Sequence, residues 1–107
     1  MPPHRIDTHH HPYPPVYIKK AGDALKHTAH AFYDRLTAWH PTQAVEAMDK
    51  NGIAVSVLSV GTPSVWLGDT NASRIFAREV NEAAAKMQQD YKGRFGHFAA
   101  LPLPDTD

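Results

Sequence analysis

Cysteine is absent from the 107 residues, which excludes disulfides and thiolate metal ligands and leaves the redox compartment open. No apolar run approaches the roughly 18 residues that a membrane span requires, so no membrane partner is expected. Charge of one sign is missing too: Lys plus Arg total 11, and so do Asp plus Glu. That balance, with no basic block, argues against a nucleic-acid interface or a membrane surface. The opening Met1-Pro2-Pro3-His4 lacks the basic start and apolar stretch of a secretory signal, and the default expectation is a cytoplasmic protein. What is present is an apolar fraction of 42% over a length suited to one domain and too short for two. Histidine is abundant for this length, with eight copies.

The most informative stretch is Ile6-Asp7-Thr8-His9-His10-His11. Residues two apart in a strand point to one face, about 7 Å apart along the backbone, so His9 and His11 stand side by side. Imidazole nitrogens bind zinc at roughly 2.0–2.1 Å, and two rings leaning together can grip one ion. Asp7 shares their parity and is expected to orient a ligand or face the same cavity, while His10 points the other way. The plain alternative is a run of ordinary polar residues at a frayed terminus or a tag remnant. A tag is longer and is not entered through a strand-like Arg5-Ile6-Asp7. The spacing alone leaves a metal pair and a solvated pair both open.

Downstream, Pro12-Tyr13-Pro14-Pro15 reads as a rigid loop. From about 19 to 39, Leu25, Ala29, Phe32, Leu36 and Trp39 form a helical stripe. A second helix is expected from Pro41 through Val45 and Met48, stopped at Asn51-Gly52. The nearly continuous apolar, β-branched run over 53–60 suits a strand covered on both faces in a parallel sheet. A loop over 61–68 precedes a helix capped by Asp69 or Asn71. Its apolar stripe is Ala72, Ile75, Phe76, Val80, Ala83, Met87 and Tyr91, and Gly93 ends it. A last strand is expected over 95–103, and Pro104-Asp105 resembles the start of a further helix. Strand, helical excursion, helix, strand, helix, strand implies an α/β parallel sheet. Its open edges invite self-association, so a homo-oligomer is an open option.

Four motifs in order carry a family resemblance. They are Arg5-Ile6-Asp7-Thr8-His9-His10-His11, Met48-Asp49-Lys50-Asn51-Gly52-Ile53, Val57-Leu58-Ser59-Val60-Gly61-Thr62-Pro63, and Arg94-Phe95-Gly96-His97-Phe98-Ala99-Ala100-Leu101-Pro102-Leu103-Pro104-Asp105. Asn81-Glu82 falls where the family often has that pair. The chain resembles the N-terminal third of the amidohydrolase-related proteins grouped with aminocarboxymuconate-semialdehyde decarboxylase. The resemblance spans 1–107 and is weakest between Pro14 and Ala38.

The resemblance implies the first β/α units of a metal-dependent-hydrolase (β/α)₈ TIM barrel, incomplete in this chain because a barrel takes about 250 residues. It implies a divalent metal, commonly zinc, at the C-terminal mouth of the strands, no organic cofactor, and His9 and His11 as two of its ligands. The remaining ligands and the catalytic residues are expected beyond residue 107, so this chain alone is expected to be inactive. His4, His27, His30, His40 and His97 match no ligand position. The implied reaction is non-oxidative decarboxylation of an unsaturated or aromatic carboxylic acid, a small-molecule partner. A metal-dependent hydrolase of the same superfamily and a non-catalytic βα module are the alternatives.

Barrel active sites are built where strands end. Ser59, Thr62, Pro63 and Trp66 lie there and are candidates for substrate contact, with turn formation and loop packing as the plain alternative. Phe32, Leu36 and Trp39 are candidates for a lid, with packing the commoner use of such a stripe. Arg94 precedes a strand at the bottom rim, where a structural role is expected.

Overall fold

The computed structural model describes residues 2–107. The first strand, β1 (Arg5–His10), ends where Pro12 and Pro14 remove backbone donors. Helix α1 (Pro15–Thr28) then begins with Pro15 in its first turn. There its fixed φ is already helical and its missing N–H is no loss. The stripe expected over 19–39 is therefore shifted and broken. After α1 come a 3₁₀ turn (His30–Phe32) and a five-residue helix, α2 (Tyr33–Thr37). Two causes are visible. The Thr28 hydroxyl donates back to the Ala24 carbonyl at 3.1 Å, an alternative to continuing the helix. Phe32 stays 59% exposed, so no buried contact holds the far end of the stripe in line.

Helix α3 (Pro41–Lys50) starts on Pro41, with the His40 Nδ1 accepting from the Thr42 N–H. It gives way to Gly52 at φ +68°, a left-handed turn that glycine adopts freely. Strand β2 (Ile53–Leu58) follows, then α4 (Thr70–Asp90) and β3 (Phe95–His97). Asp69 caps α4 by accepting from the Ala72 N–H at 2.7 Å, which decides between the two caps expected. Both later strands are shorter than expected. After β3 the side chain of Asn81 takes over both backbone groups of Ala100, accepting from its N–H and donating to its carbonyl. No helix starts at Pro104-Asp105 among the described residues; Asp105 instead pairs with Arg74 of α4.

The strands form one sheet in the order β1-β2-β3, all parallel. Helices cover one face in two packed clusters. Tyr17 and Ala21 of α1 meet Val65 and the Phe76, Ala77 and Val80 ridge of α4. Ala44 and Met48 of α3 meet Leu58, Phe95 and Met87. Ile75, expected in the buried stripe, is 56% exposed, because the ridge through Ser73, Phe76, Ala77 and Val80 already faces the sheet. No helix is long and apolar enough to cross a membrane.

Parallel strands begin together and end together, which sorts the polar residues. Where they begin, Arg94 donates to the carbonyls of Ala54 and Ile53 and to the Asp49 carboxylate. Arg5 donates to the Asn51 carbonyl beside it. Where they end lie His9, His11 and Ser59.

Candidate metal centre

Alternation along β1 places the histidines. His10 pairs with the fully buried Leu58 and meets the Trp39 ring edge-on at 6.2 Å, so it belongs to the helix-covered side. Burial lowers its pKa from the usual histidine value, against the opposing pull of Asp7. His9 and His11 project from the other side. Their Nε2 atoms stand 3.1 Å apart and the rings meet edge-on at 4.8 Å between centroids.

His11 is fixed further. Its Nδ1 lies 2.9 Å from the Ser59 carbonyl oxygen, which can only accept, so Nδ1 carries the proton. In the neutral ring Nε2 then presents a lone pair, and it presents it toward His9. A ligand histidine held through its other nitrogen by a carbonyl is the usual way that tautomer and ring angle are set.

The donor set fits a divalent ion. Two nitrogens 3.1 Å apart, each at roughly 2.0–2.1 Å from one zinc, subtend roughly 95–102° at the ion, between octahedral and tetrahedral values. The pair is half a site: no group of three or more metal-binding side chains occurs among the described residues. A catalytic zinc site normally has three protein ligands.

Asp7 does not share the histidines' side. Between Asp7 and His10, β1 has one residue more than β2, and that bulge inverts the parity expected from simple alternation. Asp7 Oδ2 sits 3.5 Å from His10 Nδ1, while Oδ1 accepts from the His9 backbone N–H at 3.0 Å. It holds the histidine-bearing strand through the main chain.

Ser59 is brought to the centre by its carbonyl. Its backbone N–H also receives a partner there, donating to the His10 carbonyl. Thr62 and Trp66 stay exposed on the loop after β2, and no hydrogen bond joins either to the histidine pair among the described residues. Trp39 is half-buried and packs against the α3-side core and His10, which is packing and not a lid. A cavity of about 630 Å³ lies between α1, α4 and the segment through Trp39 and His40. None of His9, His11, Ser59, Thr62 or Trp66 lines it. The histidine pair stands instead on the open side of the sheet, where three strands cannot enclose a cavity.

No protein-family model matches the chain. It is 37% identical over 107 residues to "Decarboxylase yanB" of Aspergillus niger, an alignment covering 95% of this chain and 28% of that protein. It is 31% identical to "Decarboxylase macB" of Penicillium terrestre, over 95% of this chain and 30% of that one. Among solved structures it is similar to a dihydroxybenzoic acid decarboxylase from Polaromonas sp. JS666, with bound manganese and the inhibitor 2-nitroresorcinol. That likeness has a TM-score of 0.73 at 27% identity, over 98% of this chain and 32% of that chain. This chain thus spans about a third or less of the length of the proteins it matches.

Proposed function

We propose that the complete protein is a metal-dependent, non-oxidative carboxy-lyase for a hydroxylated aromatic carboxylic acid, because this chain is similar over nearly all its length to proteins named as decarboxylases. His9 and His11 supply two ligands of its divalent ion. The observation that carries this reading is the 3.1 Å approach of the two Nε2 atoms, with the His11 tautomer set by the Ser59 carbonyl. Imidazole donors suit zinc among the divalent ions, and the Polaromonas enzyme holds manganese. When bound, the ion supplies a Lewis acid that holds and polarises an oxygen of the substrate.

This chain's residues do the positioning. His11, with Nδ1–H engaged, offers only its Nε2 lone pair, and His9 faces the same point. Asp7 holds the His9 main chain in the bulged conformation. In the reaction, the bond between ring carbon and carboxylate breaks, its electron pair stays on the ring, a proton replaces it, and CO₂ leaves. The acid that delivers this proton, and the remaining ligands, lie outside 1–107. Ser59, Thr62 and Trp66, at the end of β2, are the substrate-side residues of this reading. A cytoplasmic setting and self-association through the open sheet edges complete it.

The test is to incubate the complete protein with zinc or manganese and 2,6-dihydroxybenzoate and related hydroxybenzoates, following CO₂ and the phenolic product. CO₂ release that disappears in His11→Ala is the expected result. Ester or lactone hydrolysis without CO₂ release from any hydroxybenzoate would replace the lyase by a hydrolase.

A further inference from the structure

Resting on the reading of His11 as a ligand, we propose that Gly61 is the positioning residue for its imidazole. The missing side chain lets the loop after β2 press against the ring and set where Nε2 points. A Cβ placed on Gly61 would lie 3.1 Å from His11 Cγ, 3.2 Å from Cδ2 and 3.3 Å from Nδ1. All three approaches fall on one ring. The backbone at Gly61 is outside the left-handed region, unlike Gly52 and Gly93 at φ +68° and +75°. Its use is therefore close approach, with no conformational demand that alanine could not meet.

Both sides of the contact are held by other interactions. The Gly61 carbonyl accepts from the Ser64 N–H at 2.7 Å, closing a turn. Val60 packs on the cluster of Tyr17, Val65 and Phe76, none more than 1% exposed, and the Tyr17 ring stacks on Phe76 at 5.6 Å. The loop is thus anchored on a fully buried cluster. On the other side, the ring is pinned at Nδ1 by the Ser59 carbonyl. A methyl at position 61 must push the imidazole, which lengthens that hydrogen bond and carries Nε2 away from its place opposite His9. Gly61 thus acts on the ion through His11 without touching it. Gly96 is the natural control: a Cβ there meets only Val57 Cγ2, at 4.0 Å.

The experiment is a Mn²⁺ titration of the complete protein, with the free ion followed by its electron paramagnetic resonance signal. Gly61→Ala is expected to bind about 10–100-fold more weakly, the usual effect of disturbing a residue that orients a ligand, and Gly96→Ala to bind as the parent does. Parent affinity in Gly61→Ala, with binding lost in His11→Ala, overturns the role of Gly61 and leaves the metal reading standing. An equal loss in Gly96→Ala also overturns it. Parent affinity in His11→Ala removes the metal reading and this proposal with it. Stability supplies an independent readout: the cost of Gly61→Ala, measured by denaturant unfolding, is expected to vanish in a His11→Ala background. The same cost in both backgrounds overturns the proposal. Should Gly61→Ala fail to fold, recovery of folding in Gly61→Ala/His11→Ala upholds the clash, and continued failure overturns it.

Discussion

At the end of the sheet where the strands begin, Arg94 directs its guanidinium at two carbonyls and a carboxylate, with Nε and Nη2 both donating to acceptors. At the end where they finish, two imidazole nitrogens face each other across 3.1 Å, with at most one proton to share between them. Both ends are polar and both are built by parallel strands. The first is closed on itself, and its charges are spent on joining α3 to β2 and β3. The second is left open by the same backbone that holds it in place, since the Ser59 carbonyl engages Nδ1 of His11 and leaves Nε2 facing only His9. Polarity does not separate a site from a clamp here; whether the donors and acceptors balance does.

The sharpest way to break this contrast is His11→Ala in the complete protein. Loss of a ligand is expected to abolish tight divalent-metal binding and lower decarboxylation by about 10³-fold or more, the scale of a metal's Lewis-acid contribution. Metal analysis and CO₂ release check both. Arg94→Ala, at the other end, is expected to cost about 1.5–3 kcal/mol in urea unfolding while metal affinity stays unchanged. A matching fall in affinity would show that the two ends are coupled.

Alkaline pH probes the anchor beneath the open end. Burial pushes the Tyr17 hydroxyl up to about 12 from 10.0, so the unfolded chain loses that proton first. The stabilisation from keeping Tyr17 neutral is full below pH 10 and is lost as pH rises toward 12, by about 2–3 kcal/mol. Unfolding free energies measured across that range are expected to fall less steeply in Tyr17→Phe. The smallest effect is expected from Arg5→Ala, where one exposed hydrogen bond to the Asn51 carbonyl is lost. A thermal melt should register under about 1 kcal/mol.

Much of this was legible in the sequence because it rests on local rules. The apolar run through Val55 and Val57 gave a parallel central strand, and Pro41 and Gly52 bounded α3 as their backbone preferences require. The His-x-His spacing put two rings on one side of β1. What escaped depends on partners distant in the chain. The bulge that turns Asp7 toward His10 arises from the pairing of β1 with β2, which alternation within β1 cannot reveal. The periodicity of α4 permits Ile75 as readily as Ala84 on the inner face, and the packing of the Phe76, Ala77 and Val80 ridge leaves Ile75 exposed and Ala84 buried. The Asn81 side chain that captures Ala100 ends β3 early, an interaction spanning nineteen residues. Gly61 was legible only as part of the loop over 61–68, since the close approach of its backbone to His11 appears only in three dimensions.

The irregular ladder of β1 has a consequence for how the histidine-bearing strand can vary. One offset adds a residue to β2 between Arg5 and Ile6, and a second adds one to β1 between Asp7 and His10. They cancel, so Arg5 and His10 sit opposite Ile53 and Leu58 as they would in an unbroken pairing. The irregular segment is thus bracketed by two residues in regular register. A local change of backbone within it leaves the alignment of Arg5 with Ile53 and of His10 with Leu58 untouched.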